Sequence, residues 1–473
     1  MSLSGREKAS YGLGAFGKDI VYMVVASYIL FYYESVIGIN SIYVGAVLMA
    51  ARVFDAFNDP LMGVLVAKTK SRWGRFRPWI FTGTVLNAVV LYALFAVPQF
   101  SSNQPTRVWL AVFYILWGVT YTFMDIPFWS MIPAITKIGK EREDISSMAR
   151  SCSGIGSAIP TVLTMKIVPF LGGGSAMANY RIGFKYWALI IAVVFVICEV
   201  ICCWNVKEKT SEIATEKMER HSVVDMFRSL FHNDQALIVV LAIILINMSL
   251  YITSSLMLYY FRYDVGDGEN AYSIFSAFGG AMQILAMMLF PLFRKMFSKK
   301  NVFKLALLAE VIGYAMLLVI AFTGITSKAA YAYGWLILCV PGLLIFGGSG
   351  LFNVLTTIFL SDTIEYGELK NHTRDESVIF SMQTFVVKLA SAFAVFIAGV
   401  AIKIVCLKTG EGVTVSDQSF FSLAGLRFTM SAIPIIGLII AGVVFFSRYK
   451  LDEDRMQQID QELKDRKSQS LMN

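Results

Sequence analysis

Long uncharged runs decide the fold of this chain, and residues 236–261 are such a run, reading ALIVVLAIILINMSLYITSSLMLYYF. A helix needs about 20 apolar residues to cross a hydrocarbon core of about 30 Å, and this run provides them. Similar runs recur throughout the 473 residues, so the chain is 56% hydrophobic and only 16% charged. A soluble protein of this size needs more charge to cover its surface. The composition therefore predicts an integral membrane protein.

Twelve such runs predict transmembrane helices, because backbone groups in lipid must be satisfied within their own segment and no alternating barrel pattern is present. The approximate spans are 11–34, 42–66, 78–98, 107–134, 148–170, 185–204, 236–262, 270–295, 302–322, 331–360, 378–406 and 420–446. The predicted fold class is an all-α membrane protein of twelve transmembrane helices in two six-helix bundles.

The longest internal polar stretch lies at about 205–235 and divides the spans six and six. We therefore predict an N-terminal bundle at 1–204, a cytoplasmic middle loop at 205–235, a C-terminal bundle at 236–447 and a cytoplasmic tail at 448–473. Two related bundles are typical of a transporter whose substrate site lies between them near the middle of the membrane.

The charged loops predict the orientation. The loops at 68–77 and 294–300 are rich in Lys and Arg, whereas the loop at 34–41 has neither. Because basic loops stay inside, both termini are predicted to be cytoplasmic, in the inner (plasma) membrane of a bacterium. The same topology explains the net charge of +8, so no nucleic-acid partner is expected. No disulfide framework or metal–thiolate site is expected from the six cysteines either.

Charged residues inside the predicted spans are the first candidates for function, because each costs several kcal/mol unless it is paired or hydrated. The first span contains Lys18 and Asp19. In the second span, Asp55 and Asp59 are four residues apart and share one helix face with Asn58. Two carboxylates on one face repel unless a cation lies between them. This face predicts a site for a monovalent cation, and the alternative is a structural pair of Arg52 with one of the aspartates.

The fourth and eleventh spans add a further acid and a base. Asp125 lies three residues after Thr122 and four before Trp129. A carboxylate accepts hydrogen bonds from sugar hydroxyls, and an indole covers the apolar face of a sugar ring, so a sugar site is indicated. The alternative for Trp129, equally compatible with its spacing, is a packing role between helices. Lys388 is expected to face a central cavity and to pair with an aspartate of another helix.

A mixed-charge cluster is predicted at one end of the tenth and eleventh spans. It includes Asp362, Glu365 and Arg374. One interpretation is a solvated loop, and the other is an ion-pair latch that opens and closes during alternating access. We favour the latch, with these three residues as gating residues.

Several motifs resemble one family of transporters. They are YGLGAFGKD at 11–19, RVFDAFNDP at 52–60, SRWGRFRP at 71–78, YTFMDIPFW at 121–129, NDQ at 233–235, DTIEYGE at 362–368 and QTFVVK at 383–388. In this order they resemble the glycoside–pentoside–hexuronide:cation symporters of the major facilitator superfamily, and within these the melibiose permeases of bacteria. The similarity covers nearly the whole chain.

The resemblance implies roles for the charged residues. Asp19 and Asp125 are expected to bind galactosyl hydroxyls. Around them it implies the following further substrate-site residues: Lys18, Trp129, Arg150 and Lys388. The implied cation ligands are Asp55, Asn58, Asp59 and Thr122. One departure is Asn353, where close members of the family carry a tryptophan.

The predicted function is sugar:cation symport by alternating access, with Na⁺-coupled uptake of melibiose or a related α-galactoside. Alternatives are another glycoside, a pentoside or a glucuronide, with H⁺ or Li⁺ as the coupling cation. A lysolipid carrier fits the carboxylates less well. An intramembrane enzyme would need a nucleophile–base or metal constellation, and a channel would move nothing uphill. The expected partners are thus a small sugar, a monovalent cation and the lipid bilayer, with no other cofactor.

Overall fold

The structure is a computed structural model that describes residues 3–100, 102–174, 176–208, 231–266, 268–327, 333–371, 376–408 and 413–472. These residues contain thirteen α-helices. They are α1 Gly5–Phe31, α2 Ser41–Ala67, α3 Arg77–Phe95, α4 Asn103–Ile135, α5 Lys140–Gly172, α6 Met177–Asn205, α7 Asp234–Tyr260, α8 Gly268–Met296, α9 Lys299–Thr323, α10 Cys339–Asn371, α11 Glu376–Ile404, α12 Phe420–Arg448 and α13 Glu453–Met472.

Each of the twelve predicted spans overlaps one helix from α1 to α12. Eleven helices of the described chain are long and apolar enough to cross a membrane, judged by length and composition. Large apolar side chains such as Phe57 and Val443 are exposed on the surface, as expected of helices that face lipid.

Several helices begin with a polar side chain as the N-cap. Ser4 and Glu7 form a capping box at the start of α1, and Asn40 accepts a hydrogen bond from the Ile42 amide at the start of α2. Asn233 does the same at the start of α7, where it accepts from the Ala236 amide at 3.0 Å. These caps satisfy amide groups that have no partner within the helix.

Two helices of the first half have counterparts of the same length in the second half. α1 and α7 each have 27 residues, and each continues into a five-residue π-helical segment, at Tyr32–Val36 and Phe261–Val265. Likewise α4 and α10 each have 33 residues. Repeated elements of this kind are typical of transporters built from two related halves.

The first compact unit comprises residues 1–232 and 367–385. Within it α1 packs on α5 and α6, α3 on α4 and α6, and α2 on α4. Glycines allow the close approaches: a Cβ on Gly156 of α5 would lie 2.4 Å from the Phe16 carbonyl oxygen of α1. A Cβ on Gly83 of α3 would lie 2.9 Å from the Met124 amide of α4.

The second compact unit comprises residues 233–366 and 386–473. Here α12 packs on α7 and α9. Phe303 of α9 stacks on Phe445 of α12 with ring centroids 4.0 Å apart. Arg427 of α12 holds Asp264 by two hydrogen bonds of 2.7 Å. The proposed middle loop at 205–235 lies largely outside the described residues, at 209–230, so that boundary stays a prediction.

The tenth span ends later than predicted. The sequence predicted an end at residue 360, but α10 continues to Asn371. Asp362 and Glu365 are therefore buried helix residues and do not belong to a loop. Burial is tolerated at Asp362 because the Lys299 ammonium, at the start of α9, pairs with its carboxylate at 2.5 Å.

Candidate functional site

Lys18 is the centre of a buried ionic cluster in the first unit. Its ammonium contacts Asp125 of α4 at 2.7 Å and Asp19 at 3.2 Å. The Tyr121 hydroxyl donates to Asp19 at 3.2 Å, and the Ser153 hydroxyl of α5 donates to the other oxygen of the same carboxylate. The cluster thus combines one carboxylate each from α1 and α4 with a hydroxyl from α5. Lys18 itself is only 2% exposed.

Trp129 links this cluster to Arg150. Its indole nitrogen donates to Asp125 at 3.1 Å, and the Arg150 guanidinium lies 3.8 Å from the centroid of the ring. The Lys18 ammonium lies 4.8 Å from the same centroid. Cation–π attraction therefore holds the ring, and a sugar can stack only where Arg150 does not cover it. Five of the six predicted substrate-site residues lie in this one cluster.

The predicted cation ligands lie where α2 packs on α4. The Thr122 hydroxyl donates to Asp59 at 3.0 Å, and Asp59 is fully buried. One turn away, a Cβ on Gly118 would lie 2.6 Å from an Asp55 carboxylate oxygen. Residues 55 and 59 of α2 thus face residues 118 and 122 of α4, four apart on each helix.

The donor set of this pocket suits a monovalent cation. Carboxylate oxygens come from Asp55 and Asp59, and a hydroxyl oxygen comes from Thr122. The Asn58 amide nitrogen is buried and makes no hydrogen bond to any part of the chain that the structure describes. The amide is therefore free to turn its oxygen toward a cation. Hard cations prefer such oxygen ligands.

A single helix carries parts of both groups. On α4, Tyr121, Asp125 and Trp129 form one row toward α1. Gly118 and Thr122 form the neighbouring row toward α2. The two rows are three residues apart, and residues three apart are neighbours on a helix surface. A shift of α4 caused by a cation would therefore move the residues beside Lys18.

The remaining predicted residues belong to the second unit or lie outside the described residues. Lys388 is half-buried on α11 and belongs to the second unit, as do Asp362 and Glu365. Arg374 lies outside the described residues, so its part in a latch stays a prediction. The described partner of Asp362 is Lys299, which the sequence reasoning did not include.

Sequence reasoning also missed Ser153 and Gly118 and gave no role to Tyr121. Tyr121 was within reach, since it precedes Asp125 by four residues on one face. Ser153 and Gly118 carry no signal in a single sequence, because small residues are common in membrane helices. Their roles depend on which helices become neighbours.

Comparison with known proteins identifies the family. Residues 10–453 match the family described as MFS/sugar transport protein. The raffinose carrier protein of Pediococcus pentosaceus is 30% identical over 472 residues, which cover 96% of this chain and 70% of the relative. The lactose permease of Lactobacillus delbrueckii subsp. bulgaricus is 28% identical over 475 residues, which cover 98% and 73%.

A solved structure supports the fold. The Escherichia coli fucose:proton symporter FucP superposes with a TM-score of 0.67 at 12% identity, over 94% of this chain and 98% of that one. This likeness confirms the predicted all-helical fold of the major facilitator superfamily. Together with the family match, this fold identifies the protein as a multi-pass membrane transporter and not as an enzyme. The chain belongs to the MFS/sugar transport protein family, the glycoside–pentoside–hexuronide:cation symporters that its motifs resemble, and is a sugar:cation symporter.

Proposed function

We propose that the protein takes up an α-galactoside such as melibiose together with Na⁺. The observation that carries this proposal is that two carboxylate-containing clusters lie side by side along α4. Asp125 lies beside Lys18 and Trp129, and Thr122 lies beside Asp59. One group suits a polyhydroxylated ring and the other a hard cation.

The sugar is bound through charged hydrogen-bond acceptors. Asp19 and Asp125 accept from neighbouring hydroxyls, while Lys18 and Arg150 donate to ring or hydroxyl oxygens. Raffinose and lactose, named for the two relatives, both contain a galactosyl group. Raffinose has this group in α-linkage and lactose has it in β-linkage. The galactosyl group is therefore the shared feature, and the α-linkage is the finer proposal.

Sodium is proposed as the coupling cation in preference to H⁺ or Li⁺. An amide oxygen ligates a metal ion but contributes nothing obvious to proton release, and Asn58 lies beside both aspartates. Asp55, Asn58, Asp59 and Thr122 would together provide the ligands. Two carboxylates that share one proton are the alternative, and in that case pH would replace sodium as the control.

The proposed location is a bacterial inner membrane, with both termini in the cytoplasm. The basic loops at 68–77 and 294–300 support this orientation. A reporter fused to either terminus is expected to be protected from a protease added outside intact cells. Cleavage of either reporter from outside would contradict the orientation.

Uptake by proteoliposomes tests the substrate and the cation together. Labelled melibiose, raffinose, lactose, xylose and a glucuronide are offered under an inward gradient of Na⁺, Li⁺ or H⁺. We expect galactosides to accumulate against their gradient with Na⁺ only. Accumulation driven by a pH gradient alone would transfer the proposal to proton coupling.

Asn353 favours a second candidate, a symporter for another glycoside, a pentoside or a glucuronide. It lies on α10, where close family members carry an aromatic residue, and its amide donates to the Ser349 carbonyl at 3.1 Å. A polar amide at this position would suit a more polar substrate than an indole would. Uptake of xylose or of the glucuronide in preference to melibiose would establish this candidate.

A further inference from the structure

Three aromatic rings lie beside the buried ionic cluster, and the proposed function gives them no role. Trp117 and Tyr121 of α4 stack with ring centroids 5.6 Å apart. The ring of Tyr22 of α1 lies 6.0 Å from the Trp117 ring and 5.3 Å from the Tyr121 ring. These three residues, here called the aromatic platform, therefore form one group where α1 meets α4.

The aromatic platform adjoins both carboxylates of the proposed sugar site. Tyr22 follows Asp19 by three residues on α1, so the two side chains are neighbours on the helix surface. Tyr121 precedes Asp125 by four residues on α4, and its hydroxyl donates to Asp19 at 3.2 Å. Because later residues of α1 lie beside earlier residues of α4, both steps lead away from the carboxylates in the same direction. The platform is therefore about one helix turn beyond the proposed galactosyl site.

The row of residues on α4 is longer than the proposed galactosyl site. Asp125 and Trp129, which the proposed function uses, span about 6 Å of the helix axis at 1.5 Å per residue. On the same scale Trp117 lies about 12 Å from Asp125, on the other side. A single ring held between Asp125 and Trp129 therefore leaves the platform free for a second ring.

Exposure indicates which part of this row a ligand can reach. Trp117 and Trp129 are only 5% and 7% exposed. In contrast, Tyr22, Tyr121 and Asp125 are half-buried. A ligand that reaches the Asp125 carboxylate can therefore also reach the two tyrosine rings, with Trp117 packed against them.

The chemistry of the platform suits a neutral ring with hydroxyl groups. Its side chains are uncharged, and aromatic faces pack against the apolar face of a sugar ring. The indole nitrogen of Trp117 is buried and makes no hydrogen bond to any residue that the structure describes. Buried donors nearly always have an acceptor, and a hydroxyl oxygen of a ring on the platform would provide one.

We propose that Tyr22, Trp117 and Tyr121 form a second subsite, which binds the sugar ring next to the galactosyl group of a disaccharide. This inference rests on the proposed function, which places the galactosyl group at Asp19 and Asp125. In melibiose the second ring is the glucosyl ring. It packs its apolar face on the tyrosine rings, and one of its hydroxyls accepts from the Trp117 indole. The protein therefore prefers a disaccharide to a simple galactoside.

Calorimetric titration with melibiose and methyl α-galactoside measures this preference. We expect wild type to bind melibiose about two- to twelvefold more tightly, which is the range of an aromatic packing contact. In Tyr22→Leu the ratio of the two affinities should fall to about one. Tyr259→Leu is the matched control and should keep the wild-type ratio, because Tyr259 is also half-buried and pairs with another ring, that of Tyr263, in the second unit.

The ratio separates the subsite from a general disturbance, which weakens the binding of both sugars alike. An equal loss for both sugars in Tyr22→Leu would overturn the proposal. A wild-type ratio in that variant would overturn it too, and so would the same change of ratio in Tyr259→Leu.

Saturation-transfer NMR tests the contact without depending on Tyr22→Leu. Wild type is deuterated except at its tyrosine rings, and melibiose is the probe. We expect saturation of the tyrosine rings to reach the protons of the glucosyl ring, and to reach them less in Tyr22→Phe, which removes one protonated ring and keeps its shape. Signals confined to the galactosyl ring, or an unchanged glucosyl signal in Tyr22→Phe, would overturn the proposal.

The two sugars separate this proposal from the proposed function. If wild type binds both equally well, the second subsite fails and the proposed function stands. If it binds neither, the proposed function fails, and the titrations are repeated with methyl α-xyloside and isoprimeverose, in which a glucose ring follows an α-xylosyl group. A preference for isoprimeverose that Tyr22→Leu abolishes would then support the subsite, and equal affinities would overturn it.

Discussion

At the scale of single residues, the buried cluster shows how the chain keeps charge inside a membrane helix. Lys18 is paired with Asp19 and Asp125, so that the desolvation cost of each ion is offset by two short contacts. The same pairing forms a set of acceptors and donors before any sugar arrives. A ligand then exchanges hydrogen bonds with the cluster and does not have to bury new charge.

Replacing Asp125 with asparagine should weaken sugar binding by about 1.5–3 kcal/mol, the usual contribution of a hydrogen bond to a charged group. The amide also removes the negative charge that the Lys18 ammonium contacts at 2.7 Å. Its neutral carbonyl oxygen is a weaker acceptor for the Trp129 indole, which donates to Asp125 at 3.1 Å. Titration calorimetry with melibiose measures the change. Glu34→Gln, at the exposed end of the first helix, is the control and should bind as wild type does. Normal affinity in a folded Asp125→Asn protein would place the sugar elsewhere.

Replacing Gly118 with alanine should impair the cation site. The new Cβ would lie 2.6 Å from an Asp55 carboxylate oxygen, so the carboxylate must move away from its position against α4. We expect the stimulation of sugar binding by Na⁺ to fall at least several-fold, while binding without Na⁺ is largely kept. Gly45→Ala on α2 is the control, because a Cβ there meets nothing within 4 Å. Unchanged Na⁺ stimulation in Gly118→Ala would contradict the location of the site.

At the scale of helices, spacing predicted most of the candidate site. Asp55 and Asp59 were predicted to share a face from their separation of four residues, and so were Asp125 and Trp129. What spacing could not supply is the partner helix. The contact of Asp59 with Thr122 and that of Lys18 with Asp125 depend on how the helices pack, and packing is a property of the whole bundle.

The tail helix α13 is attached through its first turn. Glu453 accepts from the Lys299 amide at 2.7 Å and pairs with Arg294 at 3.3 Å. Asp452 is the N-cap, since it accepts from the Arg455 amide at 3.0 Å. This hydrogen bond is the main reason why the pKa of Asp452 is lowered. A lowered pKa means that the carboxylate stabilises the helix above its ordinary pKa and ceases to do so as the pH falls through its folded pKa.

Replacing Asp452 with alanine should therefore destabilise α13 by about 0.5–2 kcal/mol at neutral pH, as expected for the loss of an N-cap. Amide hydrogen exchange over residues 453–472 measures this as faster exchange. The difference from wild type should shrink as the pH falls through the lowered pKa of Asp452, because the protonated carboxyl group no longer caps the helix. Asp454→Ala is the control, because Asp454 is two residues further on and exposed. Equal exchange in the two variants at pH 7 would contradict the cap.

At the scale of the whole molecule, the sequence predicted the number and order of the helices because lipid imposes a nearly fixed length on each. It failed at the end of α10, where polarity at Asp362 was taken as the end of a span. That polarity is neutralised by Lys299 of another helix. The charge that misled the prediction is thus satisfied by a tertiary contact.

Coupling between cation binding and sugar binding is a property of the whole transporter. It can be tested on α4, because this helix carries residues of both proposed sites. A cation held by Asp55, Asn58, Asp59 and Thr122 would fix α4, and Asp125 would then be ordered before the sugar arrives. Sugar must in turn favour the cation by the same factor, because a coupling free energy is reciprocal. Its expected size is about 1–3 kcal/mol, which corresponds to about 5–150-fold in affinity.

Replacing Asp59 with asparagine should abolish the effect of Na⁺ on sugar affinity and leave sugar binding in place, since Asp19 and Asp125 remain. Uphill accumulation should end while downhill flux survives, because the sugar path is intact but the cation no longer drives it. Calorimetric titration of melibiose with and without Na⁺, in wild type and Asp59→Asn, measures the four affinities. Thr122→Val, which removes the hydroxyl that donates to Asp59 at 3.0 Å, should give an intermediate loss. Four equal affinities would refute the coupling, and a dependence on pH in place of Na⁺ would show that the two aspartates share a proton.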